Sequence, residues 1–240
     1  MIVSHQHKLI FLKARKVAGT SFEIALSKYL DGNDIVTPIS RKDEKIRSDL
    51  GFQSPCNFNF GFYRPFLKDM NRQLKVFGFR PPLKYYNHIP AKVARRRLGD
   101  AIWTSYRKVS IVRNPWDRAI SLFYWKTSKP GREQNLAKFS EFIAKHSAYV
   151  TTNYENYFID GRDVIDTYIR YEHFEEDILA LERQVPSLAG VWDTFSGINA
   201  KGASRDRDQT SQDIFRAHPE ADATIRTKNR WEIEKFGYRL

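Results

Sequence analysis

Two short stretches of this chain carry the residue types that handle phosphate. Lys16-Val17-Ala18-Gly19-Thr20-Ser21 sets a lysine ahead of two small residues and two hydroxyls. Small residues let the backbone close around an anion, and the hydroxyls add donors to those of the loop amides. Farther along, Arg113-Asn114-Pro115-Trp116-Asp117-Arg118-Ala119-Ile120-Ser121 sets an arginine eight residues before a serine. A guanidinium meets a phosphate with a planar fork of donors, whereas a lysine acts as a mobile point charge.

The elements that must position these residues are legible around them. Lys8 to Lys13 is a short apolar run flanked by charge, as expected of a strand buried in a parallel sheet. A helix is expected from roughly Thr20 to Tyr29. Lys108 to Val112 reads as a second core strand, and Pro115 opens a helix running to about Thr127. Strand-loop-helix junctions leave backbone N–H donors unpaired and so bind anions. Arg113 would stand at the carboxyl edge of the sheet, where ligands bind in open α/β folds. Two such junctions, each tipped by a cation, imply a ligand with phosphate at two places. Each also has an ordinary reading. The first is compatible with a βα turn capped by Thr20 or Ser21, the second with an arginine that caps a neighbouring helix or pairs with Asp117.

The rest of the pattern alternates strands and helices and predicts an α/β layered sheet. Ile35-Val36-Thr37 reads as a short strand, Pro90 to Leu98 as a helix, and Phe139 to His146 as another. Tyr157 to Ile159 and Val164 to Arg170, joined through Asp160-Gly161, are expected to form a hairpin. Phe174 to Gln184 and the end of the chain up to Phe236 read as helical. Residues 40 to 86 are the least regular part. Phe58, Phe60, Phe62, Tyr63, Phe66, Phe77 and Phe79 alternate there with Arg64, Lys68, Arg72, Lys75 and Arg80. That stretch suits either a wall for an acceptor with anionic substituents or a subdomain packed on the sheet.

Composition bounds the function class. The chain has 240 residues, 41% of them hydrophobic, which allows one domain over 1–240 with an insert at about 40–86. A net charge of +12 points to anionic partners: nucleotides, acidic glycans, nucleic acid or a membrane surface. The single cysteine, Cys56, permits no intrachain disulfide, and no zinc spacing motif is present. No run approaches the ~20 apolar residues that span a bilayer. A cytoplasmic location is the expectation.

Together the two stretches resemble the paired nucleotide-binding motifs of sulfotransferases that use 3′-phosphoadenosine-5′-phosphosulfate (PAPS). The first is similar to the family's 5′-phosphosulfate loop and the second to its 3′-phosphate motif. The carbohydrate-type group, sulfotransferase family 2 with its bacterial members, is the nearest in pattern. Tyr86-Asn87-His88-Ile89-Pro90 resembles the place of a catalytic histidine in relatives acting on glycan hydroxyls, and Arg170-Tyr171-Glu172 and Phe236-Gly237-Tyr238 also fit. Arg15 departs from the proline common before the lysine.

The resemblance implies a P-loop-like three-layer fold, with a central, mainly parallel sheet flanked by helices. It implies PAPS as co-substrate, PAP as product and no metal. Lys16 would serve the leaving oxygen, and the loop from Arg15 through Val17, Ala18, Gly19, Thr20 and Ser21 the 5′ end. Arg113 and Ser121 would hold the 3′-phosphate. Lys201, Gly202 and Arg205 would belong to a late basic loop closing over the donor, with a solvated charge run as the alternative. His88 would be the base, since an imidazole pKa near ~6.5 suits proton removal at neutral pH. Glu23 and Glu172 remain alternatives for that role. The implied partner is a hydroxyl-bearing acceptor, a glycan or other small molecule, and not nucleic acid. Neither its identity nor the oligomeric state is written in the sequence. A P-loop-like nucleotide kinase is the competing enzyme class, weakened because the lysine precedes the glycine. A non-catalytic binder of anionic glycan is the competing non-enzyme.

Overall fold

The computed structural model describes residues 1–60, 83–128, 135–151, 153–198 and 210–240. Phe62, Tyr63, Phe66, Phe77 and Phe79 of the insert lie outside the described residues, as do Lys201, Gly202 and Arg205 of the late basic loop.

Five strands form the main sheet: β1 (Ile2–Ser4), β2 (Leu9–Phe11), β3 (Ile35–Val36), β4 (Arg107–Val112) and β7 (Thr167–Arg170), in the order β3-β1-β2-β4-β7. β5 (Phe158–Ile159) and β6 (Arg162–Asp163) make a separate two-stranded ribbon. β2, β4 and β7 run parallel, with Phe11 opposite Val109 and Ile111 opposite Ile169. β1 is antiparallel to both of its neighbours. This is an α/β fold whose parallel core carries helices on both faces.

Side-chain alternation explains why both faces are covered. Leu9 and Phe11 of β2 enter one core with Phe22, Ile178 and Leu181, whereas Ile10 and the adjoining Leu12 enter the opposite core with Ala91, Ala94 and Trp103. A strand apolar on both sides needs a helix on each. A third cluster sits beside the sheet, where the Pro115–Thr127 helix packs Trp116, Ile120 and Phe123 against Phe139, Phe215 and Ile225.

Three expectations change. The Asp160-Gly161 turn does close a hairpin, both residues taking positive φ (48° and 77°), but its second strand is only Arg162–Asp163. The chain then leaves, and Thr167–Arg170 joins β4 in the main sheet instead. Ile169 is fully buried there, so the larger apolar contact decides the pairing. Second, β1 precedes the strand at Leu9 and pairs with it. Third, the charged start of the insert is helical: Arg41–Asp49 is capped by the Ser40 side chain, which accepts from the Asp43 amide at 3.3 Å. Among the described residues no helix is long and apolar enough to cross a membrane.

Candidate active site

β2 and β4 are parallel neighbours, so their carboxyl ends emerge side by side. The lysine loop follows one and Arg113 the other. Ser110 Oγ donates to the Leu12 carbonyl at 2.6 Å and ties the two strands together just beneath these ends.

The first loop is shaped by its backbone. Lys16 and Ala18 have φ of 61° and 58°, left-handed on either side of Val17, before the Gly19–Leu26 helix begins. Alternation of hand along successive residues turns their N–H groups toward one concave side, an anion-binding nest. No side chain caps this helix and no acidic residue lies in its first turn, an arrangement that favours an anion there. Gly19 allows a close approach: a Cβ at that position would lie 3.1 Å from Lys13 Cγ, and the lysine stem would have to shift by a few tenths of an ångström. Lys13 itself is spent inside, its Nζ 2.6 Å from the Glu23 carboxylate, with both side chains buried. Lys16 Nζ lies over the Trp125 ring, 5.3 Å from its centroid.

Arg113 lies beside this loop. One of its Nη atoms donates to the Lys16 carbonyl at 3.4 Å, and its guanidinium stacks 4.0 Å from the centre of Tyr171. Tyr171 follows β7, so a third parallel strand end contributes. Pro115 opens the following helix, and Asn114 caps it by accepting from the Trp116 amide at 3.0 Å. The Asn114 N–H donates to Glu172 at 2.7 Å. Ser121 is half-buried on that helix, one turn before Trp125. Arg118 lies in the interior: it donates to both Glu232 oxygens (2.5 and 2.6 Å), to Asn229 and to the Val150 carbonyl. Arg118 is therefore a structural cation.

His88 also meets the first loop. Its Nδ1 lies 3.1 Å from the Lys13 carbonyl. A carbonyl only accepts, so Nδ1 carries the proton and Nε2 keeps its lone pair. Burial, then the cations of Lys13 and Arg15, push the imidazole down to about 3, so it is neutral at physiological pH. Its φ of 59° is left-handed as well. Among the described residues six non-glycines have positive φ, and Lys16, Ala18 and His88 are half of them. Such strain persists only where surroundings over-determine it, and it gathers at functional sites.

Both carboxylate alternatives are engaged by other groups. Glu23 is fully buried between Lys13 and the Met1 ammonium. Burial alone would raise its pKa, but those two cations overcome it and hold the carboxyl at about 2. Glu172 is engaged by the Asn114 amide. Sequence reasoning brought Lys16, Arg113 and His88 to one place but missed Tyr171, Tyr149 and Asn153. Arg15 stacks on Tyr149 (5.2 Å to the ring centre) and donates to its hydroxyl at 3.3 Å. Of these, only Tyr171 had a signal, its position in Arg-Tyr-Glu at a strand end.

Such an edge, with a nest, a strand-end arginine and a neutral imidazole, belongs to an α/β protein and is suited to an anion. The model of the sulfotransferase family matches residues 1–239, and the chain belongs to that family, a class of PAPS-dependent transferases. An uncharacterised protein from Archaeoglobus fulgidus is 29% identical over 102 residues, 40% of this chain and 82% of that one. A sulfotransferase crystal structure from Alicyclobacillus acidocaldarius superposes with a TM-score of 0.43 and 17% identity, covering 97% of this chain and 96% of that one.

Proposed function

We propose that this chain moves a sulfuryl group from PAPS to an acceptor hydroxyl on a carbohydrate. The observation that carries this reading is the adjacency of three groups at one sheet edge: the Lys16 loop, Arg113 on the Lys16 carbonyl, and His88 on the Lys13 carbonyl. The loop amides from Val17 to Ser21 receive the 5′-phosphosulfate, while Arg113 and Ser121 receive the 3′-phosphate. The acceptor oxygen bonds to sulfur, its proton passes to His88 Nε2, and the bond from sulfur to the phosphate oxygen breaks. Lys16 meets the negative charge developing on that departing oxygen, and PAP leaves. Bound donor brings negative charge beside Lys13 and Arg15. That offsets the cations' part of the depression of His88, while burial, its larger cause, remains. The carbohydrate is favoured by the chain's net charge of +12, which suits acceptors carrying anionic groups.

Thermal-shift titration tests the donor. PAP is expected to raise the melting temperature while ATP with magnesium leaves it nearly unchanged, and the reverse order would support a kinase. A transfer screen with sulfur-labelled PAPS across polysaccharides, lipids and small alcohols then finds the acceptor. Donor binding without transfer to any of them would favour a non-catalytic binder.

A further inference from the structure

One short segment bonds all three parts of the candidate site. The Asn153 side chain takes both main-chain groups of Arg15: its Oδ1 accepts from the Arg15 N–H at 2.7 Å and its Nδ2 donates to the Arg15 carbonyl at 3.0 Å. Asn156 Nδ2 donates to the Ile89 carbonyl at 2.8 Å, one residue past His88. The Tyr157 hydroxyl donates to the Ile111 carbonyl at 2.9 Å, two residues before Arg113. These side chains are 3%, 2% and 0% exposed. Each bonds the main chain of a distant piece rather than another side chain.

Arg15 stands where the chain has left β2 and has not yet entered a helix, so neither a ladder nor a helical turn supplies its partners. The Asn153 amide supplies both, as a neighbouring strand would. Removing a buried partner leaves a main-chain group unsatisfied, which is costly, and the loop relaxes to avoid it. The same cost applies at the Ile89 carbonyl, whereas Ile111 lies within β4 and Tyr157 adds a side-chain donor to the carbonyl of a strand residue.

We infer that residues 153–157 form a brace whose three side chains set the register of the donor loop, the base and the 3′-phosphate arginine separately. Asn153, Asn156 and Tyr157 are positioning residues. The assignment of each to a ligand group rests on the reading as a PAPS-dependent sulfotransferase.

Calorimetry with PAP and 5′-AMP on the full chain separates the roles, with PAP release from PAPS as the turnover readout. Asn153→Ala disturbs only the loop for the 5′ end, so both nucleotides bind about 10-fold more weakly. Asn153→Asp keeps the acceptor for the Arg15 N–H and recovers part of that loss. Tyr157→Phe removes the side-chain donor to the end of the strand leading to Arg113, so PAP weakens while 5′-AMP does not. Asn156→Ala leaves PAP affinity within twofold of wild type, lowers turnover about 10-fold, and shifts the pH dependence of turnover. A merely structural segment would scale every readout with the loss of melting temperature. That result, or equal loss of PAP and 5′-AMP in Tyr157→Phe, overturns the brace. Should wild type bind neither nucleotide, it is the sulfotransferase reading that fails. If Tyr157→Phe does not fold, the two Asn153 variants still decide.

Discussion

The Lys16 loop and the Arg113 junction stand side by side at the sheet edge, yet they are held by opposite means. At the first, the Asn153 amide holds the entry at Arg15, and beyond it the backbone does the shaping: two left-handed residues, no side-chain cap on the helix, and a lysine resting on an exposed indole. At the second, side chains lock an ordinary backbone. Asn114 caps the helix, donates its own N–H to Glu172, and reaches the Arg239 carbonyl with its amide at 2.8 Å. Trp116 Nε1 donates to Asp222 at 2.7 Å, and Arg118 is tied to Glu232 in the interior. A residue that must follow charge through a reaction belongs on the looser support. A residue that must fix the register of a nucleotide belongs on the firmer one.

The largest contrast is expected from replacing the two cations. Lys16→Ala should lower sulfate transfer about 10²–10³-fold while PAP still binds, because only the transition state develops charge on the departing oxygen. Unchanged transfer by labelled donor would remove Lys16 from its role. Arg113→Lys keeps the charge and loses the fork. PAP affinity should fall about 10-fold with 5′-AMP nearly unaffected, and equal losses would break the assignment of the 3′ end.

A pH experiment probes the histidine on the loop side. His88 titrates at about 3 instead of 6.5, so between these values the unfolded chain binds a proton that the folded chain refuses. Stability therefore rises with pH across that window and is fully present above 6.5. In urea melts, His88→Asn should flatten this rise. A slope the same as that of wild type would mean that His88 is not buried as described.

Two smaller effects test the comparison through stability. Asn114→Ala removes the helix cap and should cost about 1 kcal/mol by denaturant unfolding. Ala18→Gly should do the reverse, gaining up to about 1 kcal/mol by relieving a left-handed alanine. A destabilised Ala18→Gly would show that this loop is not strained.

Much of the frame was legible because its signals are local. The apolar run at Leu9, the strand ending at Val112, Pro115 at a helix start and the helix Phe174–Gln184 all announce themselves within a few residues. The misses share one cause. Whether Thr167–Arg170 extends a hairpin or joins β4 depends on which partner buries Ile169, and that partner lies far off in the chain. Arg118, three residues before Ser121 on the same helix, turns inward because Glu232 and Asn229 are waiting there.

The amino-acid sequence by itself determined which groups are available for chemistry: a lysine before small residues, an arginine before a helix with a serine two turns on, and a histidine between. Residue type and short spacing are properties of the chain, and they survive any uncertainty in topology. Only the tertiary structure decided that β2 and β4 are parallel neighbours, so that Lys16 and Arg113 open on the same side. It also decided which charges are spent inside: Lys13 on Glu23 and Arg118 on Glu232, leaving Lys16 and Arg113 at the edge. Burial is a property of the packed whole, and it separates a cation that holds the fold from one that meets a ligand.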